Sequence, residues 1–305
     1  MNVKSELQTL VRNGVADDYV PPFLHHADDL LSELKAAAEY ATSAGEWAGL
    51  AAAISHALQE GRTDQFLRLP PVAQTMHPSM RLAGQQYLDY LLRSTKFSLM
   101  FQSALTETPV GKPLLHPSYP LSSPLLLQHG YHLIRLIEST GLELSKIRLV
   151  VEFGGGYGSF YRLLRNLGYT HRYIICDLPV MCALQRFYLR NLFPREPDSE
   201  APQNIVWLSG NDYRIALERE TTENSPSLFV ATWSLSETPL AVRTTVTPAL
   251  EGFTYILCAY QASFGNCDNV KYFARLQKRL PQFAWDHHQC SIFPDNFYMI
   301  GRHCY

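Results

Sequence analysis

Apolar positions in the first hundred residues recur at helical spacing. The stretches "DDLLSELKAAAEYATS", "EWAGLAAAISHALQEG" and "SMRLAGQQYLDYLLRSTKFSLMFQSAL" are rich in Ala, Leu, Glu and Gln and predict helices, while strand-like alternation is scarce. "TETPVGKPLLHPSYPLSSP" follows. Its prolines at 109, 113, 117, 120 and 124 forbid a regular helix, so it reads as a linker or a lid. At its end Ser123 suits an N-cap and Pro124 the first helical position, and the next helix turns Leu126, Leu133, Ile134 and Ile137 toward a core.

From residue 147 the rhythm alternates. "RLVVEFG", "YIICD", "NIVWLSG", "SLFVATWSLS" and "FTYILCAYQA" read as strands, and "NFYMIGRHCY" as a last one. Between them lie helices: "SFYRLLRNLG", stopped by Gly168; "PVMCALQRFYLRNLF", opened by Pro179; "TPLAVRTTVTPAL", capped by Thr238 with Pro239 next; and "DNVKYFARLQKRLP", from Asp268 to Pro281. Strands alternating with helices predict an α/β fold, a parallel sheet covered on both faces, whose ligands bind beyond the carboxyl ends of the strands. The expected organisation is a helical region over 1–107, a proline-rich linker over 108–123 and an α/β domain over 124–305.

Bulk properties narrow the class. The 305 residues are 46% hydrophobic and 18% charged, with a net charge of −2. No Lys/Arg run points to nucleic acid. "MNVKSELQTLVRNG" lacks the apolar core of a signal peptide, and nothing approaches an eighteen-residue apolar span. The six cysteines form no CxxC pair; Cys176 and Cys258 lie in strand-like runs and read as reduced thiols. A cytoplasmic protein without membrane or nucleic-acid partners is expected.

Candidate chemistry gathers at "RLVVEFGGGYGSFYRLL", where Gly154, Gly155, Gly156 and Gly158 join a strand to a helix. Glycines there allow positive φ and close approach of a ligand. A dinucleotide site asks for GxGxxG with a pyrophosphate on the helix N-terminus, whereas this chain has Ser159 in the last place. Glu152, two residues ahead, would repel a phosphate and suits a cationic or hydrogen-bond-donating ligand. Asp177 ends the second strand 25 residues later, placed to accept ribose hydroxyls, an arrangement NAD enzymes share. No His or Cys spacing suggests a metal site; His25 and His26, like His287 and His288, are neighbours that point apart in an extended segment.

The E-x-G-x-G-x-G arrangement at Glu152–Gly158 resembles motif I of class I S-adenosylmethionine-dependent methyltransferases. More narrowly, "VVEFGGGYGSFYRLL", "YIICDLPVMCALQRFYL", "WSLSE" and "QASFGNCDNVKYF…NFYMIG" resemble a sugar O-methyltransferase family of bacterial polysaccharide and natural-product clusters, over roughly residues 110–305. The resemblance implies a Rossmann-like methyltransferase sheet and S-adenosylmethionine as cofactor. It implies cofactor contacts from Glu152, Gly154, Gly156, Tyr157, Gly158, Asp177 and Leu178. Asn211 or Asp212 would meet the adenine, and Trp233 and Ser234 would face the transferred methyl.

Ser236, Gln261 and Phe264 are candidates for holding an acceptor, and Glu237, His287 and His288, in that order, for taking its proton. The expected activity is methylation of a small polar metabolite, first a sugar hydroxyl, second an amine or guanidine nitrogen. An NAD-dependent oxidoreductase and an inactive S-adenosylmethionine-binding module stand as the other classes. The helical N-terminal region is expected to form a lid, an acceptor wall or a dimer surface.

Overall fold

The computed structural model describes residues 26–38, 47–76, 80–193, 204–209, 217 and 225–304. Helices α1 (Ala27–Ala38), α2 (Trp47–Glu60), α3 (Pro70–Met76), α4 (Met80–Arg93) and α5 (Leu99–Ala104) come first. The third helical stretch of the sequence is therefore two helices. The chain breaks at 94–98, and Ser98 starts α5 afresh by accepting the Phe101 N–H at 3.3 Å. Helix α6 (Pro124–Thr140) begins as expected, with Ser123 Oγ accepting from the Leu126 N–H at 3.1 Å, and ends at Gly141 in the left-handed region (φ 69°).

Strands β1 (Leu149–Phe153), β2 (Arg172–Cys176), β3 (Ile205–Leu208), β4 (Ser227–Thr232) and β5 (Tyr255–Gln261) are parallel, with helices α7 (Ser159–Asn166), α8 (Pro179–Leu192) and α9 (Leu240–Val246) on the connections. A two-strand hairpin, β6 (Ser263–Phe264) and β7 (Cys267–Asp268), leads into α10 (Asn269–Arg279). Strands β8 (Phe283–Gln289) and β9 (Asn296–His303) complete a seven-stranded sheet of order β3-β2-β1-β4-β5-β9-β8. The sheet is thus Rossmann-like, with helices on both faces and a helical region ahead of it.

Two expectations need correction here. The sheet is mixed: β9 runs antiparallel to both β5 and β8. Only six residues link β8 to β9, and so short a connection permits only an antiparallel pair. Strand β8, "FAWDHHQ", carries too many polar residues for its apolar pattern to show; it lies at the sheet edge, where polar side chains are tolerated. Thr238 does not cap α9 either. Its hydroxyl donates back to the Leu235 carbonyl at 2.9 Å, and Pro239 holds the N-cap position.

Alternation along the strands builds two cores. Val150, Tyr173 and Ile175 face a core shared with Leu30, Phe66 and Tyr87 of the N-terminal region. Val151, Ile174, Phe229 and Phe253 face the other, which α10 covers through Phe273. The proline-rich segment is fixed to this frame. Glu107 and Arg162 of α7 form an ion pair at 2.6 Å, each 4% exposed, and Glu107 also accepts from Ser123 at 2.5 Å. No described helix is long and apolar enough to cross a membrane.

Candidate functional site

A cavity of about 910 Å³ opens where the carboxyl ends of β1, β2 and β4 meet the N-terminal helices. It lies within the ~300–1,000 Å³ range of small-molecule sites. Its floor is the glycine turn after β1. Gly154, Gly156 and Gly158 all have positive φ (77°, 56° and 94°). Position 154 also needs a glycine for space, because a Cβ there would overlap the side chain of Ser234. Ser234 in turn donates to the Phe153 carbonyl, so the segment after β4 is bonded to the end of β1.

The glycine N–H groups of this turn are already used. Gly154 donates to the Cys176 carbonyl at 2.8 Å and Gly158 to that of Gly155 at 2.9 Å. Gly155 and Gly156 donate to the Asp177 carboxylate. Asp177 also accepts the Leu178 N–H and the Gln185 side-chain amide, each at 2.8 Å. With about four acceptor positions on a carboxylate, Asp177 is fully engaged. It holds the turn where a pyrophosphate would need the same N–H groups, and a ribose hydroxyl would have to replace one of these donors.

Glu152 lies behind the turn, 3% exposed, and accepts the Tyr173 hydroxyl at 2.7 Å. Burial pushes its carboxyl up to about 8, partly opposed by that hydrogen bond and reinforced by Asp177. Burial likewise raises Asp177 to about 7, against the pull of its donors. Tyr157 borders the cavity but is only 1% exposed. Its ring packs against Tyr188 (centroids 4.9 Å apart) and Phe66 (6.2 Å), which docks the turn on the N-terminal region. Leu178 lines the cavity; Asn211 and Asp212 lie outside the described residues.

Trp233 and Glu237 form the far wall. Trp233 has φ 64°, unusual for a bulky residue, and is held there by two bonds of 2.6 Å, its N–H to the Ala259 carbonyl and its indole N–H to Asn296 Oδ1. Glu237 accepts from the Gln261 amide at 3.2 Å, and burial raises its carboxyl to about 7.

Several expected contacts lie elsewhere. Ser236 is fully buried and does not border the cavity; its hydroxyl donates to Gln261 Oε1 at 2.7 Å. Gln261 therefore supports Glu237 from behind, and Phe264, on the β6–β7 hairpin, also lies outside the cavity lining. His287 and His288 sit on edge strand β8, not at the cavity. His287 bridges Tyr260 (2.5 Å) and Gln277 (2.8 Å), and His288 bridges Arg135 (2.9 Å) and Asp286 (2.7 Å). Strand β8 stands at the sheet edge, two places from β5.

Sequence spacing does not point to the other lining residues. Gln128 and His129 come from α6, Asn296 and Phe293 from the β8–β9 end, and Met76 and Trp47 from the N-terminal helices. Gln128, His129 and His132, polar residues among the apolar first turns of that helix, were the available signal. His132 is itself fully buried, shares a hydrogen bond with Tyr298 Oη (2.6 Å), and backs Trp233 with ring centroids 5.4 Å apart. The one guanidinium among the described lining residues, Arg186, is paired with Glu33 of α1 at 2.6 Å and lies over the Trp207 ring.

No known family profile matches the chain, and no curated protein matches it. Solved structures give distant likenesses. The methyltransferase domain of bacterial CtHen1 is 9% identical, with 57% of this chain and 97% of that one covered and a TM-score of 0.42. An O-methyltransferase family protein from Burkholderia thailandensis is 14% identical, with 76% and 71% covered and a TM-score of 0.38. An S-adenosylmethionine-dependent methyltransferase from Anabaena variabilis is 10% identical, with 56% and 83% covered and a TM-score of 0.37. Likenesses at this distance do not carry chemistry from one chain to another.

Proposed function

We propose that this chain is an S-adenosylmethionine-dependent methyltransferase acting on a small polar acceptor, a sugar hydroxyl being the first to try. One observation carries the reading: a cavity at the carboxyl edge of the sheet whose glycine turn gives the Gly155 and Gly156 N–H groups to Asp177 and those of Gly154 and Gly158 to backbone carbonyls. Such a floor accommodates a ligand closely while its four glycine N–H groups are already bonded, which weighs against a pyrophosphate and so against a dinucleotide. The donor set fits the phosphate-free, cationic cofactor. Glu33, Glu152, Asp177 and Glu237 line the cavity, against Arg186 already paired with Glu33.

When bound, S-adenosylmethionine supplies a methyl group activated by its sulfonium charge. Gly154 and Gly156 would admit it against the backbone, a ribose hydroxyl would take the place of one donor on Asp177, and Trp233 and Ser234 would border the transfer point. The protein's own work is then positioning, which aligns donor and acceptor, and exclusion of water by the apolar wall of Met76, Trp233 and Phe293. A hydroxyl acceptor must also lose its proton. Glu237 is a carboxylate raised to about 7, so it can take a proton near neutral pH.

Calorimetric titration of the full chain with S-adenosylhomocysteine tests the reading. Saturable binding is expected, and a flat titration at high protein concentration would overturn it.

A further inference from the structure

We infer that the acceptor end of the cavity is built for a positively charged acceptor, an amine-bearing small molecule, and that Glu237 receives it. The inference rests on the methyltransferase reading and adds the acceptor's charge to it.

The support around Glu237 is a dedicated one. Arg243 of α9 is fully buried, and no carboxylate pairs with it among the described residues. Its guanidinium instead donates to the carbonyls on both sides of Glu237: Nη2 to Ser236 at 2.5 Å and Nε to Thr238 at 2.9 Å. Its Nη1 donates to Asn269 Oδ1 at 2.7 Å, and Asn269, also fully buried, donates to the Gln261 carbonyl at 2.9 Å. Ser236 fixes the Gln261 amide by donating to its oxygen, which turns the amide N–H toward Glu237. Three fully buried polar side chains thus set one carboxylate into the cavity wall. Burying such a network is costly unless every member is satisfied, and here each member bonds toward the Glu237 segment.

Among the described residues that carboxylate has no cation of its own, and its Oε1 takes the Gln261 amide. Beside Glu237, the charged side chains lining the cavity are Glu33, Glu152, Asp177 and Arg186, and His129 is a further titratable one. Arg186 is already bound to Glu33, so a phosphorylated or carboxylated acceptor would meet no free guanidinium among the described lining residues. A protonated amine would pair with Glu237. Trp233 and Phe293, which line the same cavity edge to face with centroids 6.4 Å apart, add the aromatic surface that cations favour. Glu237 can then take the ammonium proton, which frees the nitrogen lone pair to accept the methyl, so its role as base is kept with nitrogen in place of oxygen.

The test uses the full wild-type chain and two ligands: S-adenosylhomocysteine and sinefungin, which carries an ammonium group where the sulfonium methyl stands. If Glu237 receives a cation at the transfer point, sinefungin binds at least about tenfold tighter than S-adenosylhomocysteine, the scale of a charge-assisted hydrogen bond. Glu237→Gln should bring that ratio to within about threefold. Sinefungin binding no tighter than S-adenosylhomocysteine, or an unchanged ratio in the variant, would overturn the inference. Should the variant fail to fold, the wild-type order still decides. Failure of S-adenosylhomocysteine itself to bind is a separate result that removes the cofactor reading first.

Discussion

Ser234 fills the space that a side chain on Gly154 would occupy. The turn after β1 and the turn after β4 are thereby locked together, and the Ser234 hydroxyl bond to the Phe153 carbonyl completes the contact. Gly154→Ala should therefore suffer twice, from positive φ and from overlap. Gly168 has φ 88° and open space within 4 Å of where a Cβ would stand, so Gly168→Ala should suffer only the first. The strain alone is about 1–3 kcal/mol. Denaturant unfolding of both variants should show the larger loss at 154; equal losses would dismiss the overlap.

The Glu107–Arg162 pair ties the proline-rich segment to the helix that leaves the glycine turn. Glu107→Gln leaves a buried guanidinium uncompensated and should destabilise the protein by about 3–5 kcal/mol. Replacing both partners together with apolar residues should recover much of the loss. A single variant as stable as wild type would show that water reaches the pair.

Burial raises Glu152 to about 8 and both Asp177 and Glu237 to about 7, from ordinary values of 4.5, 3.8 and 4.5. Between the unfolded and folded values the folded state holds more protons, so stability falls as pH rises. The contribution is complete below about pH 4 and is lost by about pH 8. Thermal midpoints of the ligand-free chain should decline from about pH 5 to about pH 8, and Glu237→Gln should flatten the part of that slope below about pH 7. A wild-type midpoint that rises over this range would contradict the assignment.

Asp177 holds Gly155, Gly156 and Leu178 from one carboxylate. Asp177→Ala should weaken S-adenosylhomocysteine binding by about 1–3 kcal/mol, the penalty for leaving buried donors unmet. Calorimetry reads the change, and wild-type affinity in the variant would detach this residue from the site.

His287 lies between Tyr260 and Gln277 on the edge strand, away from the cavity. His287→Ala should leave S-adenosylhomocysteine affinity within about twofold of wild type. A loss of about tenfold, the scale of a direct hydrogen bond, would return this histidine to the site.

Much of the fold was legible because its signals are local. Ser123, Pro124 and Gly141 bound α6 through backbone chemistry that needs no partner, and Asp268 caps α10 in the same way. The alternation of apolar strands and helices gave the parallel half of the sheet, and Glu152 with the glycines marked the cavity floor. The strand carrying "FAWDHHQ" was hidden, because an edge strand needs few apolar side chains.

The sequence by itself determined where the turn must be glycine and which acids stand near it. Only the tertiary structure decided how those acids are used. Asp177 holds the turn, and Ser236 and Gln261 stand behind Glu237, off the cavity lining. Helix α6 brings Gln128 and His129 to a cavity floored by Glu152 and Gly154, a full helix and a strand further along the chain. These outcomes depend on which side chains meet across elements distant in the chain. Hydrogen-bond geometry in a buried space settles them, and no spacing along the sequence records it.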